Sequence, residues 1–259
     1  DGTMYIEKYI ENPHHVEVQI IADVHGNVVP LFERECSIQR RNQKVIEEAP
    51  SPTLSETTRE KMLEAAVRAA QYIGYTNAGT IEFLVDEKEN FYFLEMNTRL
   101  QVEHPVTEEI TGVDLVEQQI RIAQGLPLEI SRDSLQIKGH AIEARIYAED
   151  PVTFYPSPGA ISVLELPEGE GIRNDCAVES GSNVTPFYDP MIGKLICYGE
   201  TREQACKRLV KALKQYKVEG IKTNIPMLLK IASHKEFIKG NITTSFVDEY
   251  YLPEVQVTK

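Results

Sequence analysis

The run Glu95-Met96-Asn97-Thr98-Arg99-Leu100-Gln101-Val102-Glu103 alternates polar with mostly apolar side chains for nine residues. In one extended strand this period of two would put Glu95, Asn97, Arg99, Gln101 and Glu103 on one face, and Met96, Leu100 and Val102 on the other. The polar face would then offer two carboxylates, an amide oxygen, a guanidinium and a carboxamide. Such a set can hold a divalent cation, clamp a small anion and accept a proton. An ordinary half-buried antiparallel strand also alternates, so the pattern alone leaves a solvated strand open. At ~3.3 Å per residue a straight strand would separate Glu95 from Glu103 by roughly 26 Å, which predicts adjacent subsites for metal and anion.

The segment before it, Thr80-Ile81-Glu82-Phe83-Leu84-Val85, is joined by the polar turn 86–90 to Phe91-Tyr92-Phe93-Leu94-Glu95 and reads as a β-hairpin. With an even loop flanked by Asp86 and Phe91, Glu82 falls opposite Glu95. Like charges so placed repel unless a cation sits between them, and Glu82, Glu95 and Asn97 form the all-oxygen set that Mg²⁺ accepts beside substrate phosphates. An odd loop would break this register.

Other elements follow the chain. Met4–Ile10 is strand-like, and His15–Ala22 and Val28–Arg34 are antiparallel strands around a turn with Gly26. Ser37–Lys44 gathers three cations and three carboxamides, and reads as a seat for phosphate or bicarbonate or as a solvated basic loop. Thr53-Leu54-Ser55-Glu56 is a capping box for a helix with Met62, Ala65, Ala66, Ala69 and Ile73 inward and a stop at Gly74. His104-Pro105 ends the central strand, and a second helix spans Val113 to Gln124. Gly125-Leu126-Pro127 marks a domain edge. In the second half, Gly139–Glu149 is a strand with Glu143, Arg145 and Tyr147 on one face, and Met191–Gly199 closes a small antiparallel unit. A capping box at Thr201–Gln204 opens a helix ending at Gly220, and a shorter helix starts near Asn224 with Pro226 in its first turn.

With 259 residues, 42% hydrophobic, the chain is long enough for one large or two ordinary cores. A net charge of −13 argues against a nucleic-acid partner, and no apolar run reaches membrane-spanning length. The scattered Cys36, Cys176, Cys197 and Cys206 have no metal or redox spacing and read as reduced thiols of a cytoplasmic protein. The start Asp1-Gly2-Thr3-Met4 reads as cut from something longer, with a processed mature N-terminus as the alternative.

The string Glu-Met-Asn-Thr-Arg-Leu-Gln-Val-Glu-His-Pro-Val-Thr-Glu at 95–108 resembles the biotin carboxylase family of the ATP-grasp superfamily. Met4–Pro13, Arg34–Pro50, Gly139–Pro151 and Tyr188–Gly199 resemble it as well, so the likeness spans nearly the whole chain. The resemblance implies an α+β fold: the C-terminal part of an ATP-grasp domain over 1–125, an antiparallel sheet with helices, then a biotin carboxylase C-terminal α+β domain over 138–250. It implies that Glu7, Lys8, Tyr9 and Ile10 contact adenine and that His15, Gln39 and Asn42 approach the ribose and phosphates of ATP. Asn42 departs from members that carry histidine there. It further implies metal ligation of Mg²⁺ or Mn²⁺ by Glu82, Glu95 and Asn97, the first two also counting among the ATP-binding residues. Arg99, Gln101 and the Val102 backbone would clamp bicarbonate, and Lys44 would stand near bicarbonate and the γ-phosphate. Glu103 would be the base that deprotonates bicarbonate, and Arg145 would stabilise the biotin enolate.

The activity so implied is ATP-dependent carboxylation of carrier-bound biotin by way of carboxyphosphate. A biotin carboxyl carrier protein or domain, carboxyltransferase subunits and a homodimer are the implied partners. No glycine-rich phosphate loop occurs in these 259 residues, and in the family that loop lies upstream. Another ATP-grasp ligase would keep Glu82, Glu95 and Asn97 without needing Arg99-x-Gln101-x-Glu103 or Arg145. A non-catalytic fragment stays open too.

Overall fold

In the computed structural model, which describes residues 2–256, β1 (His14–Ala22) is buried along nearly its whole length. Its alternation sorts two environments. Val16, Val18 and Ile20 meet α1 (Glu56–Tyr72), while His15, Glu17 and Gln19 point into a polar interior on the other face. β1 pairs with β2 (Val28–Arg40) around the turn holding Gly26 at φ +90°. The chain turns again at Arg41 and Asn42, both at positive φ, into β3 (Gln43–Ala49). Arg40, in the run read either as an anion seat or as a solvated basic loop, is buried in β2. α1 lays Met62, Leu63, Ala66 and Ala70 on the sheet. Its cap is Ser55, which accepts from the Thr58 N–H, two residues later than the box expected from Thr53. Gly74 at φ +63° follows its end, and Ile73 is exposed rather than inward.

β4 (Asn77–Val85) and β5 (Phe91–Asn97) form the expected hairpin, and Glu82 does face Glu95. The route differs from the one expected. Val85 pairs with Phe91, so the loop is the odd five residues 86–90, and a bulge at Leu94 restores the Glu82–Glu95 register. Asp86 organises that loop through the N–H groups of Lys88 and Asn90.

Strand structure ends at Asn97. The run 98–103 is irregular, and His104-Pro105 starts α2 (His104–Thr111) instead of merely ending a strand, because proline suits the first helical turn. The single extended face from Glu95 to Glu103 is therefore replaced by a strand, a fold-back and a helix start. α3 (Leu115–Ala123), capped by Asp114, buries Leu115 and Ile122 and exposes Val116 and Ile120. Residues 2–10 form no strand, and Met4, Tyr5, Ile6 and Tyr9 are exposed. Asp1 lies outside the described residues.

β6 (His140–Tyr147) pairs with β3, so one sheet continues through the second half, past the short β7 (Gly159–Ala160) and β8 (Val163–Glu165), to β9 (Ile172–Cys176). β10 (Asn183–Val184) pairs with β7, and β11 (Met191–Gly199) lies between β6 and β9. The order is β5-β4-β1-β2-β3-β6-β11-β9 with antiparallel neighbours. α4 (Arg202–Gln215) is capped by Thr201, and buries Ala205, Leu209, Ala212 and Leu213 on β11 and β6. β12 (Lys217–Glu219) intervenes before Gly220, which therefore ends a strand and not that helix. α5 (Ile225–Ala232), with Pro226 in its first turn, α6 (Lys235–Lys239), a π-helical turn Val247–Tyr251 and α7 (Leu252–Gln256) complete the second core. The four cysteines are free thiols, and no helix among the described residues is long and apolar enough to cross a membrane.

Asp23 ties the β1–β2 turn to the connection at 125–128. Its carboxylate accepts from the N–H groups of His25, Asn27 and Leu128 and from the Asn27 amide, at 2.7–3.0 Å. Burial favours the neutral acid, but these donors outweigh it and lower the pKa to about 2 from 3.8. A depressed carboxylate stabilises the fold above its unfolded pKa and loses that contribution as pH falls through the folded one. Asp23→Asn is thus expected to lower Tm at neutral pH and to lose less further stability than the parent between pH 4 and 2, as read by thermal unfolding. Parallel losses in the two proteins would assign the acid sensitivity elsewhere.

Candidate active site

Three adjacent strands put carboxylates in one row, since Glu95 faces Glu82 and Glu82 faces Glu17, and β2 closes the row with Arg34 opposite Glu17. Unscreened, such a row would repel. β3 supplies the answer. The Lys44 ammonium reaches Glu17 at 2.5 Å, Glu82 at 3.1 Å and Glu103 at 2.7 Å. Burial alone would lower the Lys44 pKa, yet Glu17 and the other anions around it raise it overall. The exchange is mutual. Burial opposes ionisation of Glu17, but Lys44 and Arg34 hold its pKa at about 2. At Glu82 burial is likewise outweighed, first by the His15 hydrogen bond and then by Lys44, again to about 2.

His15 is clamped in a relay. The Gln39 amide donates to Nδ1 at 2.7 Å, which leaves Nε2 to donate to Glu82 at 2.5 Å. The fold-back after Asn97 brings Gln101 onto Glu82 at 2.6 Å and Glu103 onto Lys44, so the roughly 26 Å expected for a straight strand does not apply. Arg99 is not paired with Glu103. Its guanidinium donates to Asn97 Oδ1 and the Leu100 carbonyl. The second Glu103 oxygen accepts from Arg145 at 2.9 Å, and Arg145 also grips Glu47 at 2.5 Å.

All the residues singled out from the sequence except Glu7 line one cleft of about 770 Å³. Lys8, Tyr9 and Ile10 form one rim, where the Lys8 ammonium donates to the Tyr92 hydroxyl at 2.8 Å. Asn42 sits at φ +61° in the β2–β3 turn, a conformation asparagine tolerates better than most residues, which is a local reason for its presence there. Glu82 and Glu95 face each other with the Asn97 amide between, and this hard oxygen set fits Mg²⁺ or Mn²⁺. As placed, the Asn97 NH₂ points at both carboxylates, so ligation through its oxygen requires the amide to turn over and release Arg99.

Sequence reasoning missed Glu17, Arg34, Glu47 and Lys194, and it placed Glu143 on one face with Arg145 without giving it a role. Lys194 donates to the Val102 carbonyl at 2.7 Å and pins the fold-back to β11. Glu143 faces Glu47 across β3 and β6, and burial, together with that neighbouring carboxylate, raises its pKa well above the usual carboxylate range. The alternation His15-x-Glu17-x-Gln19 was a visible signal for the first of these residues, because it repeats the polar spacing of the central run inside an otherwise apolar strand.

Residues 1–131 match the family described as Carbamoyl-phosphate synthase L chain, ATP binding domain, and residues 143–249 match the Biotin carboxylase C-terminal domain. Biotin carboxylase 2 of Bacillus subtilis is 62% identical over 250 residues, which are 96% of this chain and 56% of that protein. A bicarbonate-bound biotin carboxylase domain of a thermophilic 2-oxoglutarate carboxylase superposes with a TM-score of 0.94 at 51% identity, covering 96% of this chain and 56% of that one. The Hydrogenobacter thermophilus domain dimer in complex with MgADP, ADP and bicarbonate gives the same TM-score and identity, with 96% and 55% covered. The chain thus spans about half the length of the curated relatives it matches.

Proposed function

The chain belongs to the biotin carboxylase family, and from that premise we propose that, within a polypeptide of the relatives' length, it carries the bicarbonate- and biotin-facing side of a site that carboxylates carrier-bound biotin at the expense of ATP. The observation that carries this reading is Glu103 held between two cations, Lys44 on one oxygen and Arg145 on the other. A base there can serve a bicarbonate bound beside Arg99, Gln101 and the Val102 backbone. Bicarbonate, once deprotonated, attacks the γ-phosphorus to give carboxyphosphate and ADP, and Lys44 offsets the charge that builds up. Arg145 faces the acceptor and stabilises the enolate that biotin becomes on losing its ureido N–H proton; the enolate takes the carboxyl group from carboxyphosphate, and the phosphate released carries off that proton. Lys8, Tyr9 and Ile10 form the adenine rim with Glu7 just outside it, and His15, Gln39 and Asn42 lie toward the ribose and phosphates. Mg²⁺ or Mn²⁺ on Glu82, Glu95 and Asn97 would neutralise phosphate charge.

This reading includes a carrier bearing biotin, carboxyltransferase subunits, a homodimer and a cytoplasmic location. It also includes a division into an ATP-grasp part over 1–125 and a C-terminal domain over 138–250, although the sheet is continuous between them. The presence of Glu103 and Arg145 beside the metal pair favours biotin carboxylation over another ATP-grasp ligation.

The test is bicarbonate- and biotin-dependent ATP turnover by the full-length enzyme, with the metal pair as its probe. Glu95→Gln is the cleaner variant, since Glu95 is exposed, whereas Glu82 also anchors His15, Lys44 and Gln101. Each change is expected to weaken metal–nucleotide affinity roughly tenfold or more. Unchanged affinity in both variants would contradict the metal assignment.

A further inference from the structure

Arg34 is fully buried behind the cleft, and every one of its N–H groups has an acceptor. Nε donates to Glu17 at 2.6 Å, Nη1 to Gln19 at 2.7 Å and Thr107 at 3.0 Å, and Nη2 to Thr80 at 3.2 Å and Gln101 at 3.0 Å. Five groups from β1, β4, the fold-back and α2 therefore converge on one planar fork. A buried Arg–Glu pair alone would be an ordinary structural feature, and it need not stabilise the fold. The contact to Gln101 has a chemical consequence beyond structure. A guanidinium has only donors, so whichever end of the Gln101 amide faces it must be the oxygen. The NH₂ end is thereby turned to the cleft, where one N–H goes to Glu82 at 2.6 Å and the second has no other acceptor among the described residues.

We propose that Arg34 is a positioning residue for anion binding: by taking the Gln101 oxygen, it fixes the amide with its donor end toward the cleft, where that end binds a bicarbonate oxygen. The inference rests on the functional reading above and deepens it, because it says which end of Gln101 meets the anion and what enforces this. Residues 98–103 have no regular backbone pattern to hold that side chain, so the orientation depends on Arg34 and Glu82. Lysine in place of Arg34 would keep the charge beside Glu17, but a point charge on a flexible stem cannot also reach Gln101, Thr80 and Thr107 in one plane.

The experiment is steady-state kinetics of the full-length enzyme with bicarbonate and MgATP varied separately. Arg34→Lys is expected to raise the KM for bicarbonate roughly tenfold or more, with the KM for MgATP held within about threefold. A purely structural role would lower the active fraction, and so the apparent kcat, without moving the bicarbonate KM of the enzyme that remains folded. Gln101→Glu keeps an oxygen for Arg34 and replaces the donor with an acceptor, so it too should raise the bicarbonate KM. It decides the matter if Arg34→Lys does not fold. An unchanged bicarbonate KM in Arg34→Lys overturns the inference while leaving the function intact, and an unchanged one in Gln101→Glu overturns the inference together with the bicarbonate clamp of the functional reading. A parent enzyme without bicarbonate-dependent turnover overturns the functional reading, and this inference with it.

Discussion

Residues 1–259 prepared alone are expected to fold yet to turn over ATP, with biotin and bicarbonate present, at below roughly 1% of the full-length rate. The chain contains no glycine-rich phosphate loop, and it covers 56% of the Bacillus subtilis relative. The groups it does bring to the cleft are those proposed to hold a metal, an anion and a proton, but phosphoryl transfer also depends on fixing the triphosphate in line with its nucleophile. A displacement of about 1 Å at that step can cost 10²-fold, and the part of the full-length relatives that this chain does not span is expected to contribute to that alignment. Folding is expected because the two main cores are complete in themselves: α1 against β1 and β4, and α4 to α6 against β6 and β11. Circular dichroism and cooperative melting together with absent turnover would match this account. Full turnover by the isolated chain would contradict it.

Much of this site was legible in the sequence, though not always for the right reason. The Glu82–Glu95 register was expected from an even loop, whereas the loop is odd and the bulge at Leu94 makes up the missing residue. Loop parity and bulges depend on local backbone packing that side-chain alternation does not encode. The alternation from Glu95 to Glu103 correctly marked a polar run but implied one straight strand. Pro105 favours a helix start as readily as a strand end, and His104–Thr111 takes the helix. Lys44 was marked only as part of a basic run that could seat an anion, and the role of Arg145 came from resemblance alone, because the sequence does not reveal that β3 and β6 bring them to Glu103 from 59 and 42 residues away. Glu17, Arg34 and Glu47 were overlooked, and Glu143 was given no role, because a charge in a strand usually reads as a solvated face. Here those side chains are buried: Glu17 is held by Arg34 and Lys44 and Glu47 by Arg145, partners that come from neighbouring strands and that only the sheet order reveals.

The central claim is that Glu103 takes the bicarbonate proton, and the alternative is that it only pairs with cations. The geometry separates the two. If Glu103 becomes glutamine, Lys44 keeps Glu17 and Glu82, and Arg145 keeps Glu47, so neither cation is left without a carboxylate. The frame of the site should persist while the base is lost. General-base catalysis typically supplies 10²–10⁴-fold, and Glu103 is held on one oxygen by Lys44 and on the other by Arg145. The deciding measurement is carboxybiotin formation from labelled bicarbonate by full-length Glu103→Gln, alongside its MgATP affinity. A rate lowered by roughly 10²-fold or more with MgATP affinity unchanged is the predicted result, and a near-normal carboxylation rate would leave Glu103 a structural ion-pair partner and contradict the account.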